Sequence, residues 1–304
     1  MNLTFQNVTK FYGPVIGVND ISCQIGPGVT ALFGANGAGK STMIKLASGQ
    51  LRPSQGNVNI GEKSSWSTAA KRDFGYSPDI NSFYEEMTGR EFVTTMSRLY
   101  GYASSEAKRR TELALLRVGM ADRAARRIAG YSHGMRQRIK LAQALTHDPQ
   151  ILLLDEPLTG VDPGGRADFH QLLAQLADDG KTILFSTHML AEVEDICDSV
   201  LMISRGRLLA SGSLSQIRSL LADQPLTVEI AAVDARHVAS LLLQMPEVRS
   251  VEIDQETVTV RTTNASTFFP AINELVVEQQ LDISRMQTVD EGADAVFSYL
   301  EAGA

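Results

Sequence analysis

The chain has 304 residues, is 43% hydrophobic and carries a formal charge of −7; that is enough chain and apolar content for about two packed domains. No apolar run approaches the ~18–20 residues that span a bilayer, no basic-then-apolar leader opens the sequence, and the isolated Cys23 and Cys197 suit buried reduced thiols rather than a disulfide or a metal site. A cytosolic protein is expected. The charge is uneven: residues 108–140 are net +8. That stretch reads either as solvated helix faces or as a surface for an anionic partner.

Leu3-Thr4-Phe5 and Ile21–Ile25 alternate as half-exposed strands do, with a turn at Phe11-Tyr12-Gly13-Pro14 between them. Tyr12 could stack on a base, as aromatics do elsewhere, or simply pack at a strand end. The apolar run Val29–Phe33 leads into Gly34-Ala35-Asn36-Gly37-Ala38-Gly39-Lys40-Ser41-Thr42, and a helical segment follows from Met43. Strand, glycine-rich turn and helix start together form a phosphate cradle. Its backbone N–H groups and the helix N-terminus attract anions. Lys40 is placed to reach the β- and γ-phosphates of a nucleotide, and Ser41 to put its hydroxyl on Mg²⁺.

Further along, Asn57–Ile60 and Phe74–Ser77 read as strands. From about residue 84 to 148 the apolar spacing becomes helical. Ser132-His133-Gly134-Met135 opens the last of these helices, with Ser132 as a good N-cap and Gly134 allowing close backbone approach. Ile151–Leu154 is a buried strand that ends in Asp155-Glu156. At the carboxyl end of an open α/β sheet, where ligands bind, Asp155 is expected to hold Mg²⁺ through its water shell and Glu156 to orient the attacking water. Thr182–Thr187 is another buried strand, ending at His188, which is expected to face the γ-phosphate. Val200–Ile203 and Leu208-Leu209 form a hairpin around Arg205-Gly206. A boundary is expected at Ala222–Pro225. Beyond it the order strand, helix, strand, strand, helix, strand is the ferredoxin-like pattern, followed by a last helix over Ala293–Leu300. This segment is net −9 and has no lysine, which makes it a poor nucleic-acid binder.

These motifs, in this order, resemble the ATP-binding subunit of an ATP-binding-cassette transporter over roughly residues 1–222. Gly34–Thr42 resembles the Walker A motif and Ile151–Glu156 the Walker B motif. Ser132-His133-Gly134-Met135 resembles the signature motif, Thr159-Gly160-Val161-Asp162 the D-loop, and His188 the switch histidine. Tyr12 then matches the adenine-stacking aromatic. The resemblance implies a P-loop NTPase α/β fold of the ATP-binding-cassette type over residues 1–222; the apolar spacing and element order themselves add a helical subdomain inserted at about 84–148 and a small α+β ferredoxin-like domain over 225–304.

It also implies an ATP- and Mg²⁺-dependent ATPase with Glu156 and His188 as catalytic groups. Tyr12, Gly34, Asn36, Gly37, Ala38, Gly39, Lys40, Ser41 and Thr42 would bind the nucleotide, with Ser41 and Asp155 on the metal. Ser132, His133, Gly134 and Met135, with Asp162 of the D-loop, would serve the partner's ATP. The implied partners are a membrane-spanning permease and a second cassette, expected to be a copy of this chain, in a head-to-tail dimer. The chain would then lie on the cytoplasmic face of the membrane, and the C-terminal extension resembles the exporter-type subfamily.

Two positions depart from the family pattern. His133 stands where glycine is usual, so its ring must point away from the phosphates. Asp79 stands where a glutamine is usual that touches Mg²⁺ and the permease. Asp79 is read here as an additional metal-side residue. No nucleic-acid partner is expected. The alternative is a soluble cassette ATPase acting on nucleic acid or ribosomes, which would use the +8 stretch. A small-molecule kinase or GTPase would leave the signature, D-loop and histidine unexplained.

Overall fold

The computed structural model describes residues 1–80, 82–220 and 226–289. The chain divides into two compact units between Ser213 and Leu214. In the first unit the elements run β1 (Leu3–Tyr12), β2 (Val15–Ile25), β3 (Gly28–Phe33), α1 (Lys40–Ala47), β4 (Gln55–Ile60), β5 (Lys63–Ser64) and β6 (Phe74–Ser77). They continue with α2 (Gly89–Leu99), α3 (Ser104–Arg117), α4 (His133–Leu145), β7 (Ile151–Leu154), α5 (Pro163–Asp178), β8 (Thr182–Thr187), α6 (Leu190–Ile196), β9 (Ser199–Ser204) and β10 (Arg207–Gly212). One sheet is antiparallel, in the order β2-β1-β4-β5. The other has the order β10-β9-β3-β8-β7-β6, with every neighbouring pair from β9 to β6 parallel and β10 antiparallel at the edge.

The parallel strands are continuous apolar runs because both of their faces are covered. All four residues of β7 are fully buried, as are Ile183, Leu184 and Phe185 of β8. Helix α1 buries Met43, Ile44, Leu46 and Ala47 completely, in a core shared with Leu3, Phe5 and Ile60 of the antiparallel sheet and with Leu32, Leu153 and Leu184 of the parallel one. Each large apolar side chain of this set contributes about 1.5–3 kcal/mol by leaving water. The start of the phosphate-loop helix is therefore fixed by core packing.

Helices α2, α3 and α4 lie between β6 and β7 in the chain. Thr88 and Glu91 form a reciprocal capping box at the start of α2, which satisfies two orphan N–H groups. Among the described residues, six of the ten basic residues of the net +8 stretch are ion-paired, all with acids from outside it. Arg109 and Arg110 pair with Glu106, Arg127 with Glu86, Arg136 with Glu85, Arg138 with Asp168, and Arg117 with Asp148 and Asp179. The reading as solvated, ion-paired helix faces is the one that fits these contacts.

Helices α5 and α6 were not anticipated from the sequence. Yet α5 carries its own start signals: Asp162 as N-cap, accepting from Gly165 N, and Pro163 in the first turn, the favoured place for proline. Its apolar stripe is Phe169, Leu172, Leu173 and Leu176.

The second unit contains α7 (Leu214–Leu220), β11 (Leu226–Ala232), α8 (Ala235–Leu242), β12 (Val248–Asp254), β13 (Thr257–Thr262), α9 (Ala265–Glu278) and β14 (Ile283–Thr288). The division thus falls earlier than the expected break at Ala222–Pro225, and α7 groups with the second unit. The sheet order is β12-β13-β11-β14, antiparallel throughout. Alternate residues Val228, Ile230, Val258 and Val260 form one core with Val238 and Leu242 of α8 and Phe268 and Ile272 of α9. The break at 222–225 and the helix expected over Ala293–Leu300 lie outside the described residues.

Candidate active site

The register of the parallel sheet aligns its carboxyl ends. Phe33 pairs with Thr187 and with Met202, and Leu154 pairs with Ser77. The segments that leave these strands emerge at one edge, the edge where open α/β sheets bind ligands. A cleft of about 670 Å³ lies there, lined by Tyr12, Asn36, Gly37, Gly39, Lys40, Ser41, Thr42, Asp79, Glu156 and His188 among others. Most of the candidates chosen from sequence are therefore brought together.

The loop that crosses this edge needs glycine for two different reasons. A Cβ on Gly34 would lie 2.2 Å from the carbonyl oxygen of Ile203 on β9. Gly39 has φ 115°, a backbone that side chains disfavour, and it directly precedes α1. Gly34 and Ala38 do not line the cleft; they set the loop's path. The Lys40 ammonium donates to the carbonyl oxygens of Gly34 and Ala35 (2.8 and 3.3 Å) and lies 3.3 Å from Oε1 of Glu156.

The two carboxylates after β7 sit in different surroundings. Asp155 is buried, and its Oδ1 accepts from Ser186 Oγ (2.7 Å) and Ser41 Oγ (3.2 Å). Burial is the main cause raising its pKa. The two hydroxyls oppose that rise, and the charges of Asp79 and Glu156 add to it. Glu156 reaches into the cleft. Its Oε2 accepts from Thr159 Oγ1 and lies 3.0 Å from Nδ1 of His188. Its backbone φ of 47° is left-handed, unusual for a residue with a Cβ and the kind of local strain that collects at functional sites. Ser186 ties the pair together: it accepts from Glu156 N at 2.9 Å while donating to Asp155.

Tyr12 is partly exposed at the cleft wall, its hydroxyl 3.4 Å from Thr42 Oγ1. Asp79 lies at the opposite end of the parallel strands' edge, after β6. Its carbonyl oxygen and that of Pro78 accept from Lys140, whose pKa burial pushes down to about 8 against the raising effect of Asp79 and Asp155. None of Ser132, His133, Gly134, Met135 or Asp162 lines this cleft. Ser132 caps α4, accepting from Met135 N. The His133 ring abuts the Gly160 turn, where an added Cβ would lie 3.2 Å from its Cδ2, and Nε2 is 3.2 Å from Gln137 Nε2. Gly134 could carry a Cβ, whose nearest neighbour would be Val161 Cγ1 at 3.7 Å.

The family model described as "ABC transporter" matches residues 18–159. The ABC transporter ATP-binding protein NatA of Bacillus subtilis is 40% identical over 204 residues, covering 66% of this chain and 83% of NatA. The chain belongs to the ABC transporter ATP-binding proteins. Members of this family hydrolyse ATP to power transport. Nod factor export ATP-binding protein I of Rhizobium johnstonii is 34% identical, covering 82% of this chain and 80% of that protein. An uncharacterised ABC transporter ATP-binding protein of a Synechocystis strain is 39% identical, with the match covering 53% of its length. The solved structure of an ABC transporter ATP-binding subunit aligns with a TM-score of 0.65 at 30% identity over 73% of this chain and 93% of that one.

Within this ABC ATP-binding fold the sequence reading missed Ser186 and the cleft-lining Val15, Ile16, Gly17, Arg205 and Gly206, and it placed Thr159 in the D-loop motif without a contact to Glu156. Ser186 carried a signal, a hydroxyl two residues before a histidine at the end of a buried strand. The others sit in turns and a strand start whose faces only the fold decides.

Proposed function

We propose that this chain is the ATP-hydrolysing subunit of a two-component transporter. It would drive a separate membrane-embedded permease, with export as the direction. The observation that carries the reading is the convergence of Lys40, Ser41, Asp155, Glu156 and His188 at one sheet edge. Lys40 and the loop N–H groups receive the phosphates. Tyr12 offers its ring to the base.

Ser41 and Asp155 form a hydroxyl–carboxylate pair of hard oxygen donors that fits Mg²⁺. They would hold it, and Asp79 is proposed to reach it through water. When bound, the ion supplies Lewis-acid charge for the leaving phosphates. Glu156 is the base that orients water, and His188 holds its carboxylate in place. A triphosphate competing for Lys40 loosens the Lys40–Glu156 pair and turns Oε1 towards that water.

Ser132, Gly134 and Asp162 lie off their own chain's cleft, and among the described residues nothing demands glycine at 134. We assign them to a second copy's ATP in a head-to-tail dimer. His133, turned against Gly160, leaves that face open. The solved dimeric ABC transporter cassette that this chain resembles (TM-score 0.64, 24% identity, covering 70% of this chain and 98% of that one) shares the fold such a dimer needs. The NatA and Nod factor export relatives support a transport role. The second unit, with strand order β12-β13-β11-β14, is read as ferredoxin-like and accessory. Among the described residues no helix is long and apolar enough to cross a membrane, which fits a separate permease subunit.

The test uses the purified chain. ATP should shift it from monomer to dimer on a sizing column when hydrolysis is blocked, and Lys40→Ala should abolish both that shift and Mg²⁺-dependent phosphate release. A chain that neither binds ATP nor releases phosphate would sink the proposal.

A further inference from the structure

We propose that Arg205 is a nucleotide-binding residue, a cation at the base–ribose end of the cleft that grips the first phosphates. The inference rests on the ATP reading above. Each of β3, β8, β7 and β6 sends a chemically active side chain to the common edge: Lys40, His188, Glu156 and Asp79, respectively. The remaining parallel strand is β9, hydrogen-bonded beside β3 with Met202 opposite Phe33. It ends at Ser204, and the next residue, Arg205, lines the same cleft. The rule that places ligands at strand carboxyl ends applies to β9 as fully as to its neighbours.

The turn that carries Arg205 is hydrogen-bonded to the phosphate loop on one side and to β2 on the other. Gly206 N donates to the Ala38 carbonyl (2.8 Å), and Asn19 N donates to the Gly206 carbonyl (2.7 Å). Arg205 itself has φ 47°. Asn or Gly is the usual occupant of such a position in a hairpin turn, so arginine is disfavoured there by backbone preference.

Charge points the same way. Two cations, Lys40 and Arg205, and two carboxylates, Asp79 and Glu156, line the cleft. Lys40 is already shared between Glu156 and two carbonyl oxygens. Arg205 is exposed and has no hydrogen-bond or ion-pair partner among the described residues. A polyanion entering this cleft therefore meets one engaged cation and one free guanidinium, a group whose planar fork suits phosphate oxygens.

Position along the ligand follows from Gly17. A Cβ there would lie 2.6 Å from the Tyr12 ring, and a Cβ on Gly206 would lie 3.0 Å from the Gly17 carbonyl oxygen. Arg205 thus belongs to the Tyr12 end, across the parallel sheet from Glu156. It should strengthen binding of ATP and ADP alike and leave the chemistry at the γ-phosphate untouched.

The test is calorimetric binding of ATP, ADP and adenosine to the full chain and to Arg205→Asn and Arg205→Lys. Asparagine suits the left-handed backbone, so folding is preserved, and matching melting temperatures check it. Arg205→Asn should weaken ATP and ADP each by about 10-fold, the size expected of a charged phosphate contact, with adenosine changed less and Arg205→Lys intermediate. The difference from wild type should shrink as salt is raised. In turnover, KM should rise with kcat kept. Equal affinities in wild type and Arg205→Asn would overturn the assignment, and a loss confined to ATP would overturn its placement. Wild-type protein that binds no ATP at all would instead overturn the reading on which the assignment rests.

Discussion

Glu156 is held from three sides: Lys40 on Oε1, with Thr159 and His188 on Oε2. Its backbone is left-handed, which turns the side chain out of the strand direction and into the cleft while Asp155 stays buried. One dipeptide thus yields two carboxylates with separate tasks. Glu156→Gln keeps the shape and can still accept from Thr159, but it loses the charge and the basicity. It should bind ATP normally, turn over at least ~10²-fold more slowly, and accumulate an ATP-bound dimer on a sizing column; near wild-type turnover would remove Glu156 from this role. Asp79 calls for a subtler test. Lys140 holds its carbonyl oxygen, so the loop keeps its course when the side chain is removed. Asp79→Ala should leave ATP affinity within about threefold, because Lys40 and the loop N–H groups do most of the binding. It should lower Mg²⁺-dependent turnover and lower transport further. Identical magnesium titrations and unchanged transport with the cognate permease would reduce Asp79 to a loop residue.

At the scale of elements, the strands that build the site were legible because they are unbroken apolar runs ending in polar residues, as in Ile151–Glu156 and Thr182–His188. The cap at Ser132 was legible for the same local reason. What escaped was either overshadowed or non-local. The start of the capped, amphipathic α5 coincides with the loop motif Thr159–Asp162, whose last residue is also the helix N-cap. Ser186 and Arg205 matter only because β8 adjoins β7 and β9 adjoins β3, and pairing is not written in any one stretch.

Local chemistry also predicts a pH response in the helical region. The His147 ring stacks on Tyr100 at 3.9 Å, and Nε2 is 2.9 Å from the Phe74 carbonyl oxygen, which can only accept. The proton is therefore on Nε2, while Nδ1 is buried without a partner among the described residues. Burial is the main cause holding the His147 pKa below its ordinary value. Protonation would put an unpaired N–H⁺ in the interior, so the stability from neutral His147 is present above the unfolded pKa of about 6.5 and is lost as pH falls through the lower folded value. Replacing His147 by Gln keeps a donor for Phe74 without titrating. The drop in melting temperature between pH 7.5 and 5.5 should be smaller in that variant than in wild type; equal drops would clear His147 of the effect.

At the scale of the whole molecule, every residue that lines the cleft precedes Ser213, where the first compact unit ends. The second unit has a core of its own, from Val228 to Ile272, and its sequence carries a strong negative charge. A unit with its own core and no residue in the site can be removed without dismantling the site. A chain ending at Asp223 cuts no described element, since α7 is complete at Leu220. It should melt cooperatively and bind ATP within about threefold of the full chain, as expected for separable domains. If the second unit stabilises the dimer, the truncated Glu156→Gln protein should need a higher protein concentration to dimerise with ATP than its full-length counterpart. Calorimetry and sizing chromatography at several protein concentrations measure the two effects separately. Loss of ATP binding in a folded truncation would show that the second unit shapes the nucleotide site, and identical dimerisation would leave it to act elsewhere, on the permease or on regulation.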